Sequence, residues 1–231
     1  MEQLNKTIEE KMNSGREYRY MQNIETRAAG EGAEETYELT GYACTFNEPY
    51  LLERRDGITV REQVDPAAFE ECDMTDVIMQ YDHVGRVFAR TSNNTLDLSI
   101  DDHGLHMDRA YLGGTDIGRQ LHQEVKGGYT TKMSFGFTVS KDKRDVTENR
   151  ETGEIDVLRT ITGVSKLWDV SAVSLPANNA TSISARSICD GVIAEALEEV
   201  RKAHEEQEET ERRKKQLKIQ LELEDLANDK R

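Results

Sequence analysis

Cysteine, proline and tryptophan are scarce in this chain of 231 residues, at three, three and one. Cys44, Cys72 and Cys189 are odd in number and form neither a CxxC pair nor a metal-ligand spacing. That argues against a disulfide framework and reads as reduced thiols in a cytosolic compartment. No basic-then-apolar leader opens the sequence and no apolar run approaches a membrane span, so the chain is expected to be soluble and unexported. Positive charge is in deficit, with 45 acidic residues against 30 basic ones for a net charge of −15. Such a surface repels phosphate backbones and anionic lipid alike, so neither nucleic acid nor membrane is an expected partner. Phosphate-binding loops are missing as well: Gly113-Gly114 and Gly127-Gly128 have neither Walker nor dinucleotide spacing.

What is present suffices for one core with solvated additions. Hydrophobic residues make up 36% of the chain, but 32% are charged, so part of it must remain outside any packed interior. The texture divides into three. Residues 1–35 are polar and read as a flexible N-terminal arm in which a strand begins near Tyr18. Residues 36–187 carry short apolar segments separated by Gly, Asp, Asn and Pro, the punctuation of strands and turns. Residues 188–231 read as a charged helical tail whose middle, His204 to Lys215, has no large apolar residue and cannot bury a face by itself. Within the central part the spacing predicts a hairpin, Thr95 to Ile100 against Leu105 to Tyr111. A helix is predicted from Thr115 to Lys126, with Thr115 as N-cap, Ile117, Leu121 and Val125 four apart, and Gly127-Gly128 as the stop.

Three segments could carry chemistry. Thr130 to Val139 alternates, with Met133, Phe135 and Phe137 on a core face and Ser134 and Gly136 on the other, where the missing Cβ of Gly136 leaves room. Val77 to His83 reads as a strand ending in a partly desolvated histidine, a useful place for a general base. Leu167 to Leu175 is apolar in both parities and so covered on both faces, and a buried Asp169 there requires a partner. Each has an ordinary alternative. Ser134 suits an outward serine on a half-exposed strand, and His83 a hydrogen-bonded core or capping histidine. Asp169 suits a partner of an arginine such as Arg86 or of a backbone amide. Asp82 is a rival orienting acid, but neighbours on a strand point to opposite sides. Together the chain order His, Ser, Asp excludes the α/β-hydrolase arrangement, and no GxSxG surrounds Ser134. His103 and His106 beside Asp101, Asp102 and Asp108 lack a converging third metal ligand, and His122 reads as solvent-facing.

Several of these pieces occur together in one known family. They are Arg27-Ala28 leading to Leu39-Thr40-Gly41-Tyr42-Ala43-Cys44-Thr45-Phe46-Asn47, the Asp65-Pro66-Ala67-Ala68-Phe69 turn, and Tyr81-Asp82-His83. Met133-Ser134-Phe135-Gly136-Phe137 and Trp168-Asp169-Val170-Ser171-Ala172-Val173-Ser174-Leu175-Pro176-Ala177-Asn178 complete the set. In these, and in their order from Arg19 to Arg186, the chain resembles the prohead (capsid maturation) serine proteases of tailed bacteriophages, a family similar in fold to the herpesvirus assembly proteases. The resemblance implies a mainly β fold, a small antiparallel β-barrel with flanking helices, followed here by a long C-terminal helix. It implies a serine endopeptidase that cleaves scaffold or capsid protein segments inside the assembling prohead in the host cytoplasm. Scaffold and major capsid protein would be its partners, it needs no cofactor or metal, and self-cleavage and homo-oligomerisation stay open. His83 would be the general base, Ser134 the nucleophile and Asp169, where many relatives carry Glu, the orienting acid. Lys141 to Asp156, a long polar hairpin in this reading, and the tail beyond Ser187 match no family motif. A catalytically silent β-barrel acting as an assembly scaffold is the competing function; it has no need to keep His83, Ser134 and Asp169 together.

Overall fold

The computed structural model describes residues 10–11, 14–27, 36–174 and 179–228. Along the chain run β1 (Glu17–Thr26), β2 (Glu38–Thr45), β3 (Tyr50–Arg55), β4 (Ile58–Val64), β5 (Ile78–Tyr81) and β6 (Val84–Arg90). After these come β7 (Leu96–Ile100), β8 (Gly104–Tyr111), helix α1 (Asp116–Lys126), β9 (Lys132–Asn149), β10 (Glu154–Val173) and helix α2 (Asn179–Asn228). Ala28 and the closing Leu175 to Asn178 of the resemblance lie outside the described residues.

The fold is mainly β, as expected, but its sheet is mixed and open rather than a closed antiparallel barrel. The strands follow the order β3-β4-β10-β9-β1-β2-β8-β7, with β5 on β10 and β6 on β5. β10 explains the departure. It is long enough to pair antiparallel with β9 along its length, while its first half takes β4 and its second half takes β5, both in parallel. Among the described strands no ladder joins β6 to β7 or β8. β6 instead passes into β7 through a 3-10 turn at Thr91–Asn93, and α1 lies across a cleft from it lined by Phe88, Ile117 and Leu121. Thr115 caps α1 as predicted, accepting from the Gly118 amide. The buried face is rotated from the expected one, taking Leu121, His122 and Val125 inside and leaving Ile117 half-exposed. His122 is therefore not solvent-facing; its ring meets Tyr37 edge-on.

A strand begins near Tyr18 as expected, but β1 is no part of a loose arm: it is a central strand between β9 and β2. Its charged sequence disguised that place, because the charges are buried in a network. Arg19 grips Glu62 with Nε at 2.6 Å and Nη2 at 3.0 Å. Arg159 reaches Glu62 at 2.6 Å and Asp142 at 2.5 Å, Glu17 bridges both arginines, and the Tyr50 hydroxyl donates to Glu62. Burial alone would raise the Glu62 carboxyl, but the two guanidinium groups and Tyr50 hold it below its ordinary value. Glu62→Ala would leave Arg19 and Arg159 buried with charge uncompensated, at a cost of about 3–5 kcal/mol. A urea unfolding curve with an unchanged midpoint would refute that.

Two apolar clusters result. The larger unites Met133, Phe135 and Phe137 of β9 with Leu39, Met79, Leu105, Met107 and Val170. The smaller lies on the polar stretch 141–156, which is the long hairpin expected between the Ser134 strand and the next, here the outer half of the β9–β10 ribbon with β4 alongside. Ile58, Val60, Ile155 and Val157 there bury against Cys189, Val192, Ile193 and Ala196 of α2. The start of the tail thus contributes to a core of its own, whereas residues 201–221 are exposed. No helix among the described residues is long and apolar enough to cross a membrane.

Candidate active site

Register carries chemistry-bearing residues onto one face of the sheet. Ser134 stands opposite Ser171 and Gly136 opposite Asp169, while Phe135 pairs with Val170 on the core side. Asp169 reaches the Ser134 face because of a bulge. Leu167 pairs with Phe137, yet Asp169 pairs with the next residue, Gly136, so Trp168 is the extra residue and the parity of β10 inverts there. Trp168 is itself held by an Nε1 donation to Thr138 Oγ1 at 2.9 Å. Gly136 is required by the approach that follows. A Cβ there would lie 2.4 Å from Asp169 Oδ2 and 2.8 Å from the Tyr18 ring.

His83 is not the last residue of a strand. β5 ends at Tyr81, and Asp82 and His83 form a two-residue hairpin turn with φ of 50° and 61°, closed by the Tyr81–Val84 pair. Two left-handed residues in succession give the primed turn that matches strand twist, and Asp and His tolerate that region better than most. Asp82 accepts from the Ser174 amide at 2.9 Å and from its hydroxyl, which ties the turn to the end of β10. The His83 carbonyl accepts from Lys11 Nζ at 2.8 Å.

The three side chains form a continuous hydrogen-bonded line, with Asp169 Oδ1 2.5 Å from His83 Nδ1 and His83 Nε2 2.6 Å from Ser134 Oγ. Ser171 donates to the same Asp169 oxygen at 2.8 Å. Burial would raise the Asp169 carboxyl, but the imidazole, the Ser171 hydroxyl and the Lys11 ammonium keep it below the ordinary carboxylate range. As a carboxylate it can only accept, so Nδ1 carries the proton and the neutral imidazole offers Nε2 to the serine. The Arg19 carbonyl, at 2.8 Å, is the alternative acceptor for the single Ser134 proton, and the Arg19–Glu62 grip secures its position. The Tyr18 ring lies 4.4 Å from that of His83, its phenol pushed up to about 12 by burial and by the Asp169 charge. Ser134 and Asp169 have no exposed surface.

Of the other residues singled out in the sequence, Arg86 does not partner Asp169. His103 packs in its turn against Tyr42, and His106 bonds Asp108 and Thr40. Among the described residues no group of three His, Cys, Asp or Glu side chains is arranged to hold a metal. Ser171 was legible as the same-face neighbour of Asp169 two positions on; Lys11 and Tyr18 carried no local signal. A family model for the Caudovirus prohead serine protease matches residues 22–201. Neither a curated protein nor a solved structure gives a significant match.

Proposed function

The chain belongs to the Caudovirus prohead serine proteases, and from that premise we propose that Ser134, His83 and Asp169 are its nucleophile, general base and orienting acid. The observation that carries this reading is the unbroken line Asp169–His83–Ser134, at 2.5 and 2.6 Å. Ser134 Oγ attacks the scissile carbonyl carbon while its proton passes to His83 Nε2, and Asp169 stabilises the imidazolium that forms. His83 then returns the proton to the leaving amine, so the peptide C–N bond breaks and an acyl ester remains on Ser134. Water activated by the same imidazole hydrolyses that ester and restores the enzyme.

The substrates we propose are segments of the scaffold and major capsid protein within the procapsid in the host cell, the family's setting. Strands β1 to β10 with the buried start of α2 would form the protease unit, and the exposed part of α2 its attachment. The test is intact-mass spectrometry over time on procapsid proteins mixed with the enzyme, in parallel with enzyme inactivated by a phosphonofluoridate. Fragments confined to the untreated sample, with the phosphonyl adduct mapped to Ser134, are expected. Uncleaved procapsid proteins, or an adduct elsewhere, would overturn the assignment.

Gly136→Ala supplies an independent check. The added methyl must displace the Asp169 carboxylate or Tyr18, and a displacement of about 1 Å in such a unit costs on the order of 10²-fold in rate. Cleavage kinetics within twofold of the parent would show that the carboxylate position is immaterial.

A further inference from the structure

We infer that Lys11 is a positioning residue for His83, acting from outside the stretch that matches the family. The inference rests on the reading of His83 as the general base. His83 occupies a turn of two consecutive left-handed, non-glycine residues, a conformation that persists only when its surroundings hold it. One end is tied down by Asp82, whose amide donates to the Ala172 carbonyl at 2.9 Å and whose carboxylate accepts from Ser174. The other end is tied by Lys11, whose Nζ donates to the His83 carbonyl at 2.8 Å. A hydrogen bond from an ammonium is charge-assisted and about twice as strong as a neutral one.

Lys11 is itself anchored. Its carbonyl accepts from the amides of Ser14 at 3.2 Å and Arg16 at 3.3 Å, and Arg16 stacks over the Trp168 ring at 4.0 Å. Trp168 is the bulge residue beside Asp169, so the segment contacts both the turn that carries His83 and the strand that carries Asp169. The half-buried ammonium also lies within electrostatic reach of Asp169, whose charge opposes the lowering effect of burial on Lys11. Among the described residues, the charged and titratable groups placed around His83 are Asp169 from β10, Tyr18 from β1, Lys11 and Arg16 from the N-terminal segment, and Asp82 from its own turn. Lys11 thus sets the backbone of His83 and contributes positive charge beside the Asp169–His83 pair.

The test measures kcat and KM against pH for the full chain, Lys11→Met and Lys11→Arg, on a peptide spanning a mapped procapsid cleavage site. Lys11→Met is expected to lower kcat about tenfold with KM changed by less than about twofold, because substrate contacts stay while the base is loosened. Its acid limb is expected to move to higher pH, since losing a nearby positive charge favours the imidazolium. Lys11→Arg should restore most of both. An unchanged kcat and acid limb in Lys11→Met would overturn the inference alone. A rise in kcat/KM would overturn it too, by showing that the segment plugs the site. Turnover by the parent that does not depend on Ser134 would overturn the base assignment and the inference with it.

Discussion

Ser134→Ala is expected to slow cleavage of procapsid proteins by about 10⁶-fold while the protein stays folded. The loss is expected to be that large because, in the proposed mechanism, the hydroxyl alone forms the acyl ester, and without it His83 and Asp169 would have no proton to manage. The structural consequence is small but definite. Ser134 Oγ lies between His83 Nε2 and the Arg19 carbonyl, so its removal deprives one of these two buried acceptors of its donor, at about 1–3 kcal/mol. Paired measurements decide the matter: single-turnover cleavage, and a thermal melt for the fold. A folded variant that still cleaves within tenfold of the parent would place the nucleophile elsewhere.

Asp169→Asn comes next in size, with about a 10⁴-fold fall in kcat. The geometry of the site is nearly preserved, but the chemistry is inverted. The amide nitrogen of Asn can donate to His83 Nδ1, which moves the imidazole proton to Nε2, where it blocks acceptance from Ser134. The same substitution alters acid stability. The folded Asp169 carboxyl lies below its ordinary value, so its charge stabilises the native state above that value, and the contribution disappears as pH falls through the folded value. The gap in unfolding midpoint between the parent and Asp169→Asn is therefore expected to narrow between neutral and strongly acidic pH. A variant with parental kcat would leave Asp169 a structural carboxylate and return the role of orienting acid to another group.

Much of this site was legible in residue patterns. The alternation of Met133, Phe135 and Phe137 with Ser134 and Gly136 is local, because side chains on a strand alternate whatever their neighbours do. The anomaly of Asp169 in an apolar segment was legible too, since burial of a carboxylate demands a partner. What each pattern pointed toward was not. Parity counting from Leu167 places Asp169 on the core side, and only the bulge at Trp168 turns it toward Ser134.

The remaining decisions were taken by contacts between residues far apart in the chain. A strand was legible near Tyr18, but the central place of β1 was not, because its charges are satisfied by Glu62 and Arg159 and no local window contains those partners. His83 reads as the end of a strand because a left-handed turn at Asp82-His83 depends on ties to Ser174 and Lys11. The first part of α2 reads as solvated because the surface that buries Cys189, Val192 and Ile193 is built by β4 and β10. Residue types and periodicity settle which side chains must leave water; the pairing of distant strands settles whom they meet, because ion pairs, bulges and left-handed turns gain their stability only from partners the fold brings to them.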